Sequence, residues 1–169
     1  MGLAFLTFNR HTRPDESTAL RLQTISDLYG ISIELPFRKE FEHITEETKR
    51  RIDRSEIVFC FSSILPSDEV LSEIKYALEN NKAVIHVFNS DVQTPVFGHA
   101  NLFSLSVDFS QEPCSKILNQ ISRFLILKFG RDDKRLNVLN AIFSILLGML
   151  SLSYFEDEVH EQIRSAKTV

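Results

Sequence analysis

The sequence predicts an α/β domain built on an open, doubly wound parallel sheet of five strands. Three observations lead there. Leu3–Phe8 (LAFLTF), Ile57–Phe61 (IVFCF) and Ala83–Phe88 (AVIHVF) are continuous apolar runs, the pattern of strands covered on both faces of a parallel sheet. Segments with helical periodicity alternate with these runs, and regular β-α alternation defines the class. The stretch Ser55–Phe88 by itself reads as strand, loop, helix, strand, the length of one right-handed crossover unit.

Each element has a local reason. After the first strand, Asn9–Pro14 is a polar loop, and Asp15 or Ser17 starts a helix that turns Leu20, Ile25 and Leu28 to the sheet and ends at Gly30. Ile31–Leu35 alternates in polarity, as an edge strand does. Pro36–Lys39 is the loop that follows. Thr45 caps a helix with Glu46 and Glu47 in its first turn, running to Arg54; its many charges and few apolar positions, such as Ile52, place it on the surface. Beyond the Ile57–Phe61 strand, Ser67 caps a helix with Asp68 and Glu69 in its first turn. Val70, Ile74, Ala77 and Leu78 share one face of that helix, and Asn80–Asn81 ends it. Asn89–Ala100 is irregular, Leu102–Phe109 alternates as a fifth strand, and Ser115–Phe129 is a helix with Ile117, Leu118, Ile121, Phe124 and Leu125 on its inner face. Ligands of such sheets bind beyond the carboxyl ends of the strands. Glu73 lies about two turns into the helix that starts there, expected to be partly exposed and to face the crevice.

The 169 residues suit one principal domain, residues 1–130, with a helical extension at 131–169. A net charge of −4 and the lack of a basic patch interleaved with aromatics argue against a nucleic-acid binder. Two cysteines, Cys60 and Cys114, make no disulfide framework, and the five histidines have no metal-ligand spacing. Cys60 and His86 fall inside strands and read as packing residues. Met1–Phe5 lacks a signal peptide's basic start and cleavage site, so a cytoplasmic location is expected. Leu136–Phe155 carries no charged residue over 20 positions, the length of a membrane span. Asn137, Asn140, Ser144, Gly148 and Ser151 nevertheless fall near one helical stripe. The favoured reading is a helix buried against the domain or against a second copy; a membrane span packed along that stripe is the alternative.

Taken in order, several short motifs resemble those of the Toll/interleukin-1 receptor/resistance (TIR) domains. Phe5–Arg10 (FLTFNR) matches the family's first strand and polar loop. Gly30–Ile33 (GISI) matches its second strand, and Ile44–Ile57 its second helix. Ser62 or Ser63, Ser67, Glu73 and Ile74 match part of its serine-and-glutamate signature, and Val84–Phe88 (VIHVF) its fourth strand. The likeness spans about residues 3–129. Glu69 stands where the family has tryptophan, and His86 where it has proline.

The resemblance implies a flavodoxin-like fold, self-association, and cleavage of NAD between nicotinamide and ribose, in signalling or immune defence. It makes Glu73 the catalytic carboxylate, steadying an oxocarbenium-like ribosyl cation. Nicotinamide leaves as a neutral molecule, so no second acid is required. NAD is then a substrate, and no cofactor or metal is implied. Phe8, Asn9 and Arg10 approach it from the first loop, Phe37 and Arg38 from the second, and Ser67 from the helix cap, with Phe8 stacking and Arg10 pairing with diphosphate. A non-catalytic self-associating module is the alternative. Nucleoside 2-deoxyribosyltransferases, which share the topology and a glutamate at this place, fit less well.

Overall fold

The computed structural model describes residues 4–10, 12–28, 32–40, 43–62, 64–92, 98–108 and 114–129, together with Asn140 and Ser144. Among the described residues are five strands: β1 (Ala4–Thr7), β2 (Ile33–Glu34), β3 (Ile57–Ser62), β4 (Ala83–Asn89) and β5 (Leu102–Val107). All pair in parallel, in the order β2-β1-β3-β4-β5, a flavodoxin-like α/β sheet. The helices with defined bounds among the described residues are α1 (Arg13–Leu28), α2 (Glu46–Arg54), α3 (Asp68–Glu79) and α4 (Cys114–Phe129).

The central strands are the apolar runs, and every residue of β1 and β3 is buried. The alternating segments lie at the edges: β2 is short, and β5 is mostly half-exposed. Ile52 of α2 and Val70, Ile74, Ala77 and Leu78 of α3 form one core with Phe5, Val58, Cys60 and Val84. The register aligns Phe5, Val58 and Val84, so α2 and α3 cover one sheet face. The chain steps outward from β1 to β2 and then back across to β3, so right-handed crossovers put α1 on the opposite face.

Both predicted helix caps form. Thr45 accepts from the Thr48 N–H at 3.2 Å, and Ser67 from the Val70 N–H at 3.5 Å. Helix α3 ends at Asn81, whose φ of 56° is the left-handed conformation that asparagine tolerates better than most residues; Lys82 N–H bonds back to the Ala77 carbonyl at 2.9 Å. Two expectations are corrected. Leu20 is half exposed, and the described residues on the buried face of α1 are Asp15, Thr18, Ala19, Leu22 and Ser26; the side chains of Ile25 and Leu28 lie outside the described set. These positions recur at helical spacing, but most are small or polar, so an apolar count misses the stripe. Glu73 is fully buried.

The chain falls into two compact units, Met1–Val107, which holds the sheet and α1–α3, and Asp108–Val169, which holds α4. In the second unit Ile117 and Ile121 are buried, and the Ser122 hydroxyl donates to Asn140 Oδ1 at 2.8 Å. The predicted helix over 136–155 otherwise lies outside the described residues. Among the described residues no helix is long and apolar enough to cross a membrane.

Candidate functional site

At the carboxyl ends of β1 and β2 is a cavity of about 260 Å³ lined by Phe8, Arg10, Glu16, Pro36, Phe37 and Arg38. Four of these were expected from the sequence: Phe8 and Arg10 from the first loop, Phe37 and Arg38 from the second. Glu16 was not. It is exposed in the first turn of α1, and the cue for it is an acid one turn past the polar loop.

Arg38 is the wall between this cavity and Glu73. Its Nε donates to Glu73 Oε1 at 3.0 Å and its Nη2 to Oε2 at 2.9 Å, a two-point fork on the carboxylate. Nη1 donates to the Phe8 carbonyl at 2.7 Å, and Nη2 also reaches the Thr7 hydroxyl at 3.3 Å. The Thr7 hydroxyl in turn donates to Glu73 Oε2. Guanidinium, carboxylate and hydroxyl therefore close a ring, with side-chain exposures of 7% for Arg38 and zero for Glu73. The Arg38 guanidinium also sits over the Phe8 ring, 5.3 Å from its centroid. Burial pushes the Glu73 carboxyl above the ordinary carboxylate range, against the opposing pull of Arg38 and Thr7.

The loop that carries Arg38 is fastened to α2. The Phe37 N–H donates to Thr48 Oγ1 at 2.9 Å, and the hydroxyls of Thr45 and Thr48 lie 2.5 and 2.7 Å from the Phe37 carbonyl. Arg51 Nη1 holds the Leu35 carbonyl at 2.8 Å. With its backbone held on both sides, Phe37 still leaves 44% of its surface exposed at the cavity, flanked by Arg51 and Lys39 at 5.9 and 6.0 Å from its ring centroid.

The structure assigns Asn9 and Ser67 a different place. Buried Asn9 accepts from the Ser67 N–H at 2.8 Å and donates to the Leu65 carbonyl at 3.4 Å, tying the β1 loop to the β3–α3 loop. Neither is among the cavity-lining residues. Thr7, absent from the sequence-based set, is the lone hydroxyl in the apolar run of β1, and that position is the cue for it.

Farther along the same sheet face, buried Ser62 lies 3.1 Å from His86 Nε2 and 3.6 Å from Cys60 Sγ. Burial pushes the Cys60 thiol up to about 12 and the His86 imidazole down to about 4. At neutral pH both are uncharged, which suits packing and not nucleophilic chemistry. Among the described residues no group of histidine, cysteine or acidic side chains is arranged to hold a metal. No protein-family model matches this sequence, and no curated protein is significantly similar to it.

Proposed function

We propose that this chain is a TIR-like, NAD-cleaving protein of the cytoplasm, acting in signalling or defence, with Glu73 as its catalytic carboxylate. The observation that carries the reading is the position of Glu73, separated by one side chain, Arg38, from a cavity walled by Phe8, Phe37 and two guanidinium groups. Aromatic rings suit the bases of a dinucleotide, and guanidinium groups suit its diphosphate. The parallel sheet order β2-β1-β3-β4-β5 is also the one the resemblance implies.

In the reaction the bond between ribose C1′ and the nicotinamide nitrogen breaks. The electron pair leaves with nicotinamide and neutralises its ring. The Glu73 carboxylate stabilises the cation left on the ribose, and water adds at C1′, giving ADP-ribose and a proton; attack by an adenine nitrogen in place of water gives a cyclic product. Incubation with NAD followed by chromatography tests this. Release of nicotinamide by wild type, reduced about 10²–10³-fold in Glu73→Gln, is the expected result. Absence of turnover overturns it.

A second reading has its own support. Both Glu73 oxygens are occupied by Arg38 and Thr7, an arrangement equally suited to a strut that fixes a loop in a non-catalytic, self-associating TIR-like module. Light scattering of a protein that leaves NAD intact distinguishes it. A parallel incubation with a deoxynucleoside and a free base tests deoxyribosyl transfer.

A further inference from the structure

We infer that Arg38 and Glu73 select a zwitterionic pyridinium nucleotide by exchanging partners with it: the ligand's diphosphate takes the guanidinium, and its pyridinium ring takes the carboxylate. The inference rests on the NAD-cleaving reading and adds how the site opens and which nucleotides open it.

The pair blocks its own site. Glu73 has no exposed surface, and Arg38 occupies both of its oxygens. A substrate reaches the carboxylate only if Arg38 moves. The loop backbone is not free to carry it away, because Phe37 is held at both its N–H and its carbonyl by the first turn of α2. The movable part is the Arg38 side chain. Its Nε, Nη1 and Nη2 each donate to protein acceptors, and Nη1 has one acceptor among the described residues for its two N–H groups. Arg38 lines the cavity together with Arg10, whose guanidinium makes no hydrogen bond or ion pair among the described residues, so an anion entering there meets two cations against the one acid of Glu16.

Charge balance then decides between ligands. An anion that simply removed Arg38 would leave a buried, uncompensated carboxylate, a costly state. A ligand with one positive ring and one diphosphate leaves both buried charges paired. Oxidised nicotinamide dinucleotide has that composition. The reduced form and ADP-ribose have the diphosphate but lack the cation.

The test uses the full chain and the carbocyclic analogue of NAD, whose ribosyl bond does not cleave, alongside its dihydro form. Calorimetry on wild type should show the oxidised analogue binding at least tenfold more tightly, with the ratio falling to within about twofold in Glu73→Gln. The Nε–Hε NMR signal of Arg38, assigned by its loss in Arg38→Lys, should move with the oxidised analogue and stay with the reduced one. That measurement does not depend on the Glu73 variant folding. Equal affinities in wild type overturn the exchange, and if NAD is still cleaved the enzymatic reading stands without it. A tenfold preference with no NAD cleavage keeps the exchange, as recognition of a pyridinium nucleotide, and removes the hydrolytic reading. Failure of both analogues to bind overturns the exchange, and the hydrolytic reading then stands or falls on NAD cleavage.

Discussion

Glu73 and Arg38 are a buried ion pair, and that changes what a single substitution does. A partly exposed glutamate could be replaced by glutamine with little effect on folding. This one cannot, because glutamine returns one carbonyl acceptor to a guanidinium that is only 7% exposed and offers it no charge. Removing one partner of a buried pair costs about 3–5 kcal/mol. Glu73→Gln should therefore fall toward the lower end of that range in urea unfolding, while on the proposed NAD-cleaving reading its loss of turnover, corrected for folded fraction, stays near 10²–10³. Arg38→Ala leaves the opposite charge unpaired. Without Arg38 the burial of Glu73 and the repulsion from Glu69 are opposed only by Thr7, so its carboxyl rises further above its ordinary 4.5. A folded-state value above the unfolded one makes stability greatest at low pH and lost as pH rises through the folded value. The deficit of Arg38→Ala relative to wild type should accordingly shrink between pH 7 and pH 4.5. A deficit independent of pH would show that Glu73 is not the charge responsible.

At the scale of elements, the β2–α2 connection positions the site. Thr48 is buried and meets both the N–H and the carbonyl of Phe37. Thr48→Val keeps the shape and removes the hydroxyl, leaving the Phe37 N–H to find another partner while its carbonyl keeps Thr45, at about 1–3 kcal/mol. On the proposed NAD-cleaving reading the expected kinetic signature is a raised KM for NAD with kcat reduced less, because the loop that presents Phe37 and Arg38 loosens while Glu73 stays on α3. Equal loss of both constants would place Thr48 in the chemistry instead. How legible these elements were depended on how much of each was written in apolar residues. Strands β1, β3 and β4 and the caps Thr45 and Ser67 were readable, because continuous apolar runs and cap residues are local signals. The buried face of α1 was less so, because its described residues include Asp15, Thr18, Ala19 and Ser26 beside Leu22. The burial of Glu73 had a cue that went unused. It lies three residues after Val70 and four before Ala77, inside the apolar stripe of α3, and a charge there calls for a buried counter-charge. Which cation answers it, Arg38 from 35 residues away, depends on tertiary packing that no local pattern encodes.

For the molecule as a whole, two buried groups on the same sheet face set opposing responses to acid. His86 is held neutral by burial, its value moved from 6.5 to about 4. Between those limits the unfolded chain takes up a proton that the folded chain refuses, so stability is full above 6.5 and falls toward pH 4, by up to about 3 kcal/mol. Glu73 acts in the reverse sense. Its folded value lies above 4.5, so acid is taken up by the folded chain first and stabilises it over the interval between the two. The wild-type protein should therefore lose stability on acidification less steeply than His86 alone dictates. His86→Gln can keep a hydrogen-bonding partner for Ser62, which sits 3.1 Å from the imidazole, while removing the titrating ring. Urea midpoints measured at pH 7, 5.5 and 4.5 should then fall less for His86→Gln than for wild type, the two curves converging at the acid end even if the variant starts lower. Parallel curves would mean that His86 takes up its proton as readily in the folded chain as in the unfolded one, and would contradict the burial that places it between β3 and β5 on β4.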